Sequence, residues 1–90
     1  MTTQAPPITL RYFAWVRERT GCAEERIALP ADVTTIADLL AWLRTRGAGF
    51  EEAFRRPAII LAAIDQRHVK PDAAIAGARE IAFFPPVTGG

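Results

Sequence analysis

One cysteine, one histidine and one lysine are all that the 90-residue chain holds of those three residue types. Cys22, being alone, has no partner for an intramolecular disulfide, and no Cys/His set is present that could hold a metal ion. A lone His68 speaks against the common nucleophile–histidine–acid triads. Long apolar runs are missing too. The longest, Ala58–Ile64, has strand length and falls far short of the roughly 18 residues of a membrane-spanning helix. The opening Met1–Pro7 carries neither a positively charged stretch nor an apolar core, so no secretory signal is expected. Nor is one sign of charge in excess: eleven basic residues against ten acidic ones give +1, which argues against nucleic acid as the main partner. What is present is half apolar and 23% charged, a globular composition, in a chain long enough for one small domain. The expectation is a soluble cytoplasmic protein with no nucleic-acid or membrane partner, too poor in reactive side chains to run a multi-residue reaction alone.

The order of elements is mixed. Ile8–Phe13 alternates and is rich in β-formers, with Ile8, Leu10 and Tyr12 on one face and Thr9, Arg11 and Phe13 on the other. Ala14–Thr20 predicts a short helix closed by Gly21, and Glu25–Leu29 a second strand antiparallel to the first, ended by Pro30. Thr35, with Asp38 three residues on, is a capping-box-like start to the main helix. Ile36, Leu39, Leu40 and Leu43 form its apolar stripe, and Gly47 and Gly49 are expected to stop it. A helical turn over Phe50–Arg56 precedes Pro57. Ile59–Ile64 then reads as a strand, Asp65-Gln66 as a turn into Arg67–Val69, and Glu80–Phe84 as the last strand. The coarse order is β-β-α-β-β with a minor final strand. One main helix covers one sheet face, leaving the other to solvent or a partner.

The ending holds the chemistry. Pro85-Pro86 stiffens the chain after the last strand, and Pro85–Gly90 reaches about 20 Å at about 3.3 Å per residue. Gly89 and Gly90 lack Cβ atoms and pass where no other residue fits. The group such a tail delivers is its own α-carboxylate, which is ionised at neutral pH and needs activation before it can react. Two terminal glycines are equally what a merely mobile end looks like, and the residues alone leave both readings open.

Phe83-Phe-Pro-Pro-Val-Thr-Gly-Gly90 resembles the signature ending of the molybdopterin synthase small-subunit (MoaD) family, ubiquitin-like β-grasp sulfur carriers. Arg11–Glu18 is similar to that family's first strand and helix, Leu61–Gln66 to its central strand and turn, and Thr35–Leu40 to its capped helix. Ala76–Glu80 departs from the family's more acidic turn. The resemblance implies an α+β β-grasp domain over residues 8–84, a flexible leader over 1–7 and an extended tail over 85–90. It further implies that an E1-like adenylating enzyme uses ATP to activate the Gly90 carboxylate. A sulfur donor protein then makes it a thiocarboxylate, and the large subunit passes the sulfur to cyclic pyranopterin monophosphate. On that reading Gly90 carries the reacting group, Gly89 permits passage, and Pro85, Pro86, Val87 and Thr88 set the reach. The chain itself binds no cofactor and no metal, and the catalytic groups belong to the large subunit.

Phe13 and Phe84 fall on the face opposite the core by alternation and are expected at the partner interface, unless a bulge buries one of them. Arg17 joins them by the resemblance, against a plain reading as a solvated helix charge. His68 reads as a surface residue, Trp15 and Trp42 as packing residues, and Cys22 as a bystander whose one functional reading is a transient sulfur link. Carriers serving thiamine or tRNA thiolation, a ubiquitin-like protein modifier, and a purely structural interaction domain are the alternatives.

Overall fold

The computed structural model describes residues 6–86. β1 (Ile8–Tyr12) forms as its alternation predicts, with Ile8, Leu10 and Tyr12 buried. α1 (Ala14–Thr20) ends at Gly21, whose left-handed backbone (φ 83°) lets its N–H donate to the Arg17 carbonyl at 2.9 Å. β2 (Glu24–Ile27) runs antiparallel to β1 with Ile27 opposite Ile8. It stops short of the expected Leu29, ahead of a turn in which the Val33 N–H donates to the Pro30 carbonyl.

α2 (Ile36–Leu43) opens with the expected capping box. The Thr35 hydroxyl accepts the Asp38 N–H, and the Asp38 carboxylate accepts the N–H groups of Thr34 and Thr35. Those bonds, that from the Thr34 backbone first, hold the Asp38 carboxyl below its ordinary range. All four stripe residues of α2 are buried. Of the two glycines expected to stop it, only Gly47 does so. α2 tightens into a 3₁₀ turn over Arg44–Arg46, and Gly47 (φ 143°) breaks it. Gly49 instead lies inside α3 (Ala48–Ala53), where α3 meets the Arg19 carbonyl of α1 so closely that a Cβ would overlap it.

β3 (Leu61–Ile64) starts later than Ile59, because Pro57 opens a 3₁₀ turn over Pro57–Ile59 whose end donates from Ile60 N–H to the Pro57 carbonyl. Asp65 and Gln66 take positive φ (47° and 72°), the two-residue hairpin turn that leads into β4 (Arg67–Val69). Asp65 Oδ1 accepts the N–H groups of Arg79 and Glu80 and so ties this hairpin to the start of β5 (Glu80–Phe84).

The strands order β2-β1-β5-β3-β4, with β5 parallel to β1 and antiparallel to β3. The final strand is therefore the central one rather than a minor one, and its continuous Ile81-Ala82-Phe83 run is buried on both faces. Register sets Leu10 beside Ile81 and Tyr12 beside Phe83 on the helix side. Phe54, fully buried, closes that core at 6.1 Å from the Tyr12 ring and 5.4 Å from the Phe83 ring. Three helices rather than one contribute to this core, through Val16, the α2 stripe and Ala53.

The Tyr12 hydroxyl donates to Glu25 Oε2 at 2.6 Å, and Arg46 Nη1 donates to the same oxygen at 2.6 Å. Burial first, then the bond to Glu25, pushes the Tyr12 phenol above its usual value. For Glu25, burial acts upward, but the hydrogen bonds from Arg46 and Tyr12 outweigh it and hold the carboxyl low. A carboxyl depressed in the folded state adds stability above its unfolded pKa, about 4.3, and that stability is lost as pH falls through the folded value. Glu25→Gln is expected to cost about 1 kcal/mol at pH 7 and to shrink the loss seen on acidification below about pH 4. Urea midpoints of both proteins at neutral and acid pH check this, and an unchanged pH dependence counts against it.

Candidate docking face and tail root

The helices leave one sheet face uncovered, and β5 delivers the C-terminal segment to one end of it. The Phe13 N–H donates to the Phe83 carbonyl at 3.1 Å, which extends the β1–β5 pairing by one residue and sets Phe13 beside Phe84. Ala14 then turns the chain into α1 with a positive φ of 54°. The Phe13 and Phe84 rings stack with centroids 4.9 Å apart and planes within 9°. Each covers one face of the other, so both are half-buried rather than exposed, and no bulge turns either into the core.

Around this pair lie residues that the sequence alone did not place at this face. Leu61, paired with Phe84 in register, is 38% exposed. The His68 ring lies 5.8 Å from that of Phe84. Their signal was the cross-strand register, which alternation within one strand cannot supply. The Arg11 guanidinium sits 5.4 Å over the Phe13 ring and 3.8 Å from both Glu24 and Glu80. These long, half-exposed ion pairs add little stability, so the arginine remains available to a new partner.

Arg17 is exposed on α1 and forms no ion pair among the described residues. The structure places it on the helix that follows Phe13, not within the stacked pair. Pro85 is half-buried and Pro86 exposed just past β5. Val87, Thr88, Gly89 and Gly90 lie outside the described residues. Elsewhere, Trp15 carries Arg19 at 4.5 Å and Trp42 carries Arg46 at 5.2 Å, and Cys22 is half-buried. Among the described residues no group of His, Cys, Asp and Glu could hold a metal ion, and no helix is long and apolar enough to cross a membrane.

The face can dock a partner and the strand beneath it can present a tail. A molybdopterin synthase sulfur carrier subunit from Escherichia coli (strain K12) is 35% identical over 83 residues, 92% of this chain and 99% of its own. The Pyrococcus furiosus protein described as molybdopterin converting factor, subunit 1, superposes with a TM-score of 0.71 at 26% identity, over 92% of this chain and all of that one. Small archaeal modifier protein 1 of Haloferax volcanii superposes at 0.68 with 23% identity, over 92% of this chain and 100% of its own, a likeness of fold alone. The mixed five-stranded sheet with its helices on one face is the ubiquitin-like β-grasp fold. The ThiS family model matches residues 10–90, and on that match the chain belongs to the ThiS family.

Proposed function

We propose that the chain is the sulfur-carrier subunit of a molybdopterin synthase. An E1-like enzyme transfers AMP from ATP to the Gly90 carboxylate with release of pyrophosphate. Sulfide supplied by a donor protein then attacks the acyl-adenylate carbonyl and displaces AMP, leaving a C-terminal thiocarboxylate. The large subunit receives the tail, supplies the catalytic groups, and passes the sulfur to cyclic pyranopterin monophosphate. On this reading the chain carries no cofactor of its own. The observation that carries the reading is the central strand running out through Phe84, Pro85 and Pro86 beside an uncovered aromatic face, in a chain so similar to a named sulfur carrier subunit.

Intact-mass measurement after incubation with the adenylating enzyme, ATP and a sulfur donor tests it directly. The expected result is one oxygen exchanged for sulfur, located at Gly90 by fragmentation. No exchange, or isopeptide-linked adducts in its place, sinks the proposal in favour of a protein modifier. Sulfur passed to a thiazole precursor or a tRNA but not to the pyranopterin assigns the carrier to another pathway.

The docking part of the proposal rests on Phe84. Its ring is only half-buried, so Phe84→Asp is expected to keep the fold while weakening large-subunit binding by about 2 kcal/mol, roughly thirtyfold. Titration calorimetry with the large subunit reads this, and unchanged affinity, or a variant that no longer folds, removes Phe84 from the interface.

A further inference from the structure

The sheet ends in two edge strands, β2 and β4, which leave different backbone groups open. Facing residues of an antiparallel pair alternate between exchanging hydrogen bonds and exchanging none, and the second kind turn their N–H and C=O groups to the other side. The Tyr12 N–H donates to the Ala23 carbonyl, so these two form a bonded pair. By the β1–β2 register Leu10–Glu25 and Ile8–Ile27 are then bonded pairs, whereas Arg11–Glu24 and Thr9–Arg26 are not. Glu24 and Arg26 therefore turn their backbone groups away from β1, and no other backbone group among the described residues bonds to them. On β4 the two-residue turn makes Ile64–Arg67 and Ala62–Val69 the bonded pairs, which leaves His68 alone facing outward. Only β2 offers the start of a ladder.

Native edge strands are commonly blunted by proline, lysine or a bulge. β2 has none of these, since Glu24-Glu25-Arg26-Ile27 pairs with β1 residue for residue. Its charges repel most strands but match a second copy of β2. With a two-fold axis through Glu25, Glu24 of each copy falls opposite Arg26 of the other. These are the residues with open backbone groups, so both contacts are bonded pairs, and their side chains share the open sheet face. Both side chains are exposed; Arg26 has no ion pair among the described residues, and Glu24 has only the 3.8 Å contact with Arg11. An axis through Glu24 or through Arg26 would instead set like charges opposite each other. The two Glu25 side chains meet at the axis on the helix side, each already accepting from Tyr12 and Arg46 of its own copy.

We infer that β2 is a self-pairing edge, at which two copies of the chain join antiparallel into one ten-stranded sheet with Glu24 opposite Arg26 at both contacts. Both open faces then lie on the same side of the sheet. The two β5 strands run antiparallel to each other, so the tails leave from opposite ends and neither Phe84 is covered. Pairing is thus compatible with docking through the open face. The inference does not depend on what the tail carries.

The test uses the full chain, isotopically labelled, over a range of concentrations. A contact well below the about 1,200 Å² of a standard interface is weak, so sedimentation equilibrium is expected to find monomer at about 10 μM and dimer at roughly 1 mM. The amide resonances of Glu24 and Arg26 should move over that range, and those of His68 and Phe84 should stay in place. Glu24→Arg alone, or Arg26→Glu alone, sets like charges opposite each other at both contacts and should weaken the dimer at least about tenfold. Mixing the two variants restores opposite charges at both contacts, and the mixed dimer should form as readily as the parent's. A loss of fold would not be repaired by mixing. A chain still monomeric at roughly 1 mM, single variants that pair as the parent does, or a mixture that stays monomeric overturns the inference. So does a dimer whose shifts centre on Phe13 and Phe84, which assigns self-association to the open face. Contacts from residues 2–5 to Glu24 or Arg26 assign the edge to the chain's own N-terminal segment, and likewise overturn it.

Discussion

A chain shortened by Gly89 and Gly90 is expected to fold as the full chain does and to deliver no sulfur. β5 ends at Phe84, and among the described residues the hydrogen bonds and core contacts that hold it involve positions at or before Phe84. Its melting temperature should therefore not move. Function is another matter. The deletion places the terminal carboxylate on Thr88, about 7 Å short of its former reach, and gives the terminal residue a branched side chain. Transfer between bound groups requires reacting atoms within about 3.5 Å, and misplacement by 1 Å can already cost about a hundredfold. A loss of at least about a thousandfold is the expected result, read as failure to restore molybdenum-cofactor synthesis in cells lacking the native carrier. Gly90→Ala separates the two causes. It keeps the length and the carboxylate and adds one methyl group, so a loss as complete as that of the deletion points to a slot that admits only glycine. An intermediate loss points to reach. Normal cofactor synthesis by the shortened chain would leave the domain as a structural module only.

The uncovered sheet face was legible in part. The alternation Ile8–Phe13 and Glu80–Phe84 assigns Phe13 and Phe84 to the side away from the core, because side chains of a strand alternate without reference to anything distant. The stripe and cap of α2 were legible for the same reason, since every interaction that defines them lies within a few residues. Three features were not. The central place of β5 depends on its pairing with β1, about seventy residues earlier in the chain, and a short, mostly apolar strand reads the same at an edge as in the middle. The stacking of Phe13 on Phe84 and the exposure of Leu61 follow from that pairing and inherit its invisibility. Glu25 on β2 reads as a solvent-facing charge until the fold brings Tyr12 and Arg46 to the same oxygen. Glycines show the limit most clearly. A glycine after an apolar stripe signals a helix end, as Gly47 provides, but nothing near Gly49 announces that another helix's backbone will lie against it.

That contact makes Gly49→Ala the substitution with the largest expected cost to stability. Gly49 has an ordinary helical backbone, so alanine meets no conformational penalty there and in isolation would favour the helix by about 1 kcal/mol. The added Cβ, however, would overlap the Arg19 carbonyl oxygen, with the rest of that peptide and the Thr20 Cα close behind. These are backbone atoms of α1's last turn and cannot rotate away as a side chain would. Either α3 withdraws, which pulls Phe50 and Phe54 from the Tyr12 ring, or α1 shifts, which disturbs the Gly21 closure and the Phe13 junction. Overpacking of this kind costs about 1–3 kcal/mol, and the helix-propensity gain recovers only part of it. The upper end of that balance, a net of about 2 kcal/mol, corresponds for a domain of this size to a fall in melting temperature of roughly 8–16 °C. The two relaxations have different consequences for the docking face. If α3 gives way, stability falls but large-subunit affinity, corrected for the folded fraction, stays the same. If α1 gives way, Arg17 and the Phe13–Phe84 pair move with it and the affinity of the folded fraction drops as well. Gly21→Ala serves as the comparison, because it strains the left-handed closure of α1 without adding any atom near α3. Thermal melts and large-subunit titrations of both variants decide between them, and a Gly49→Ala protein as stable as the parent would show that the two helices are free to separate.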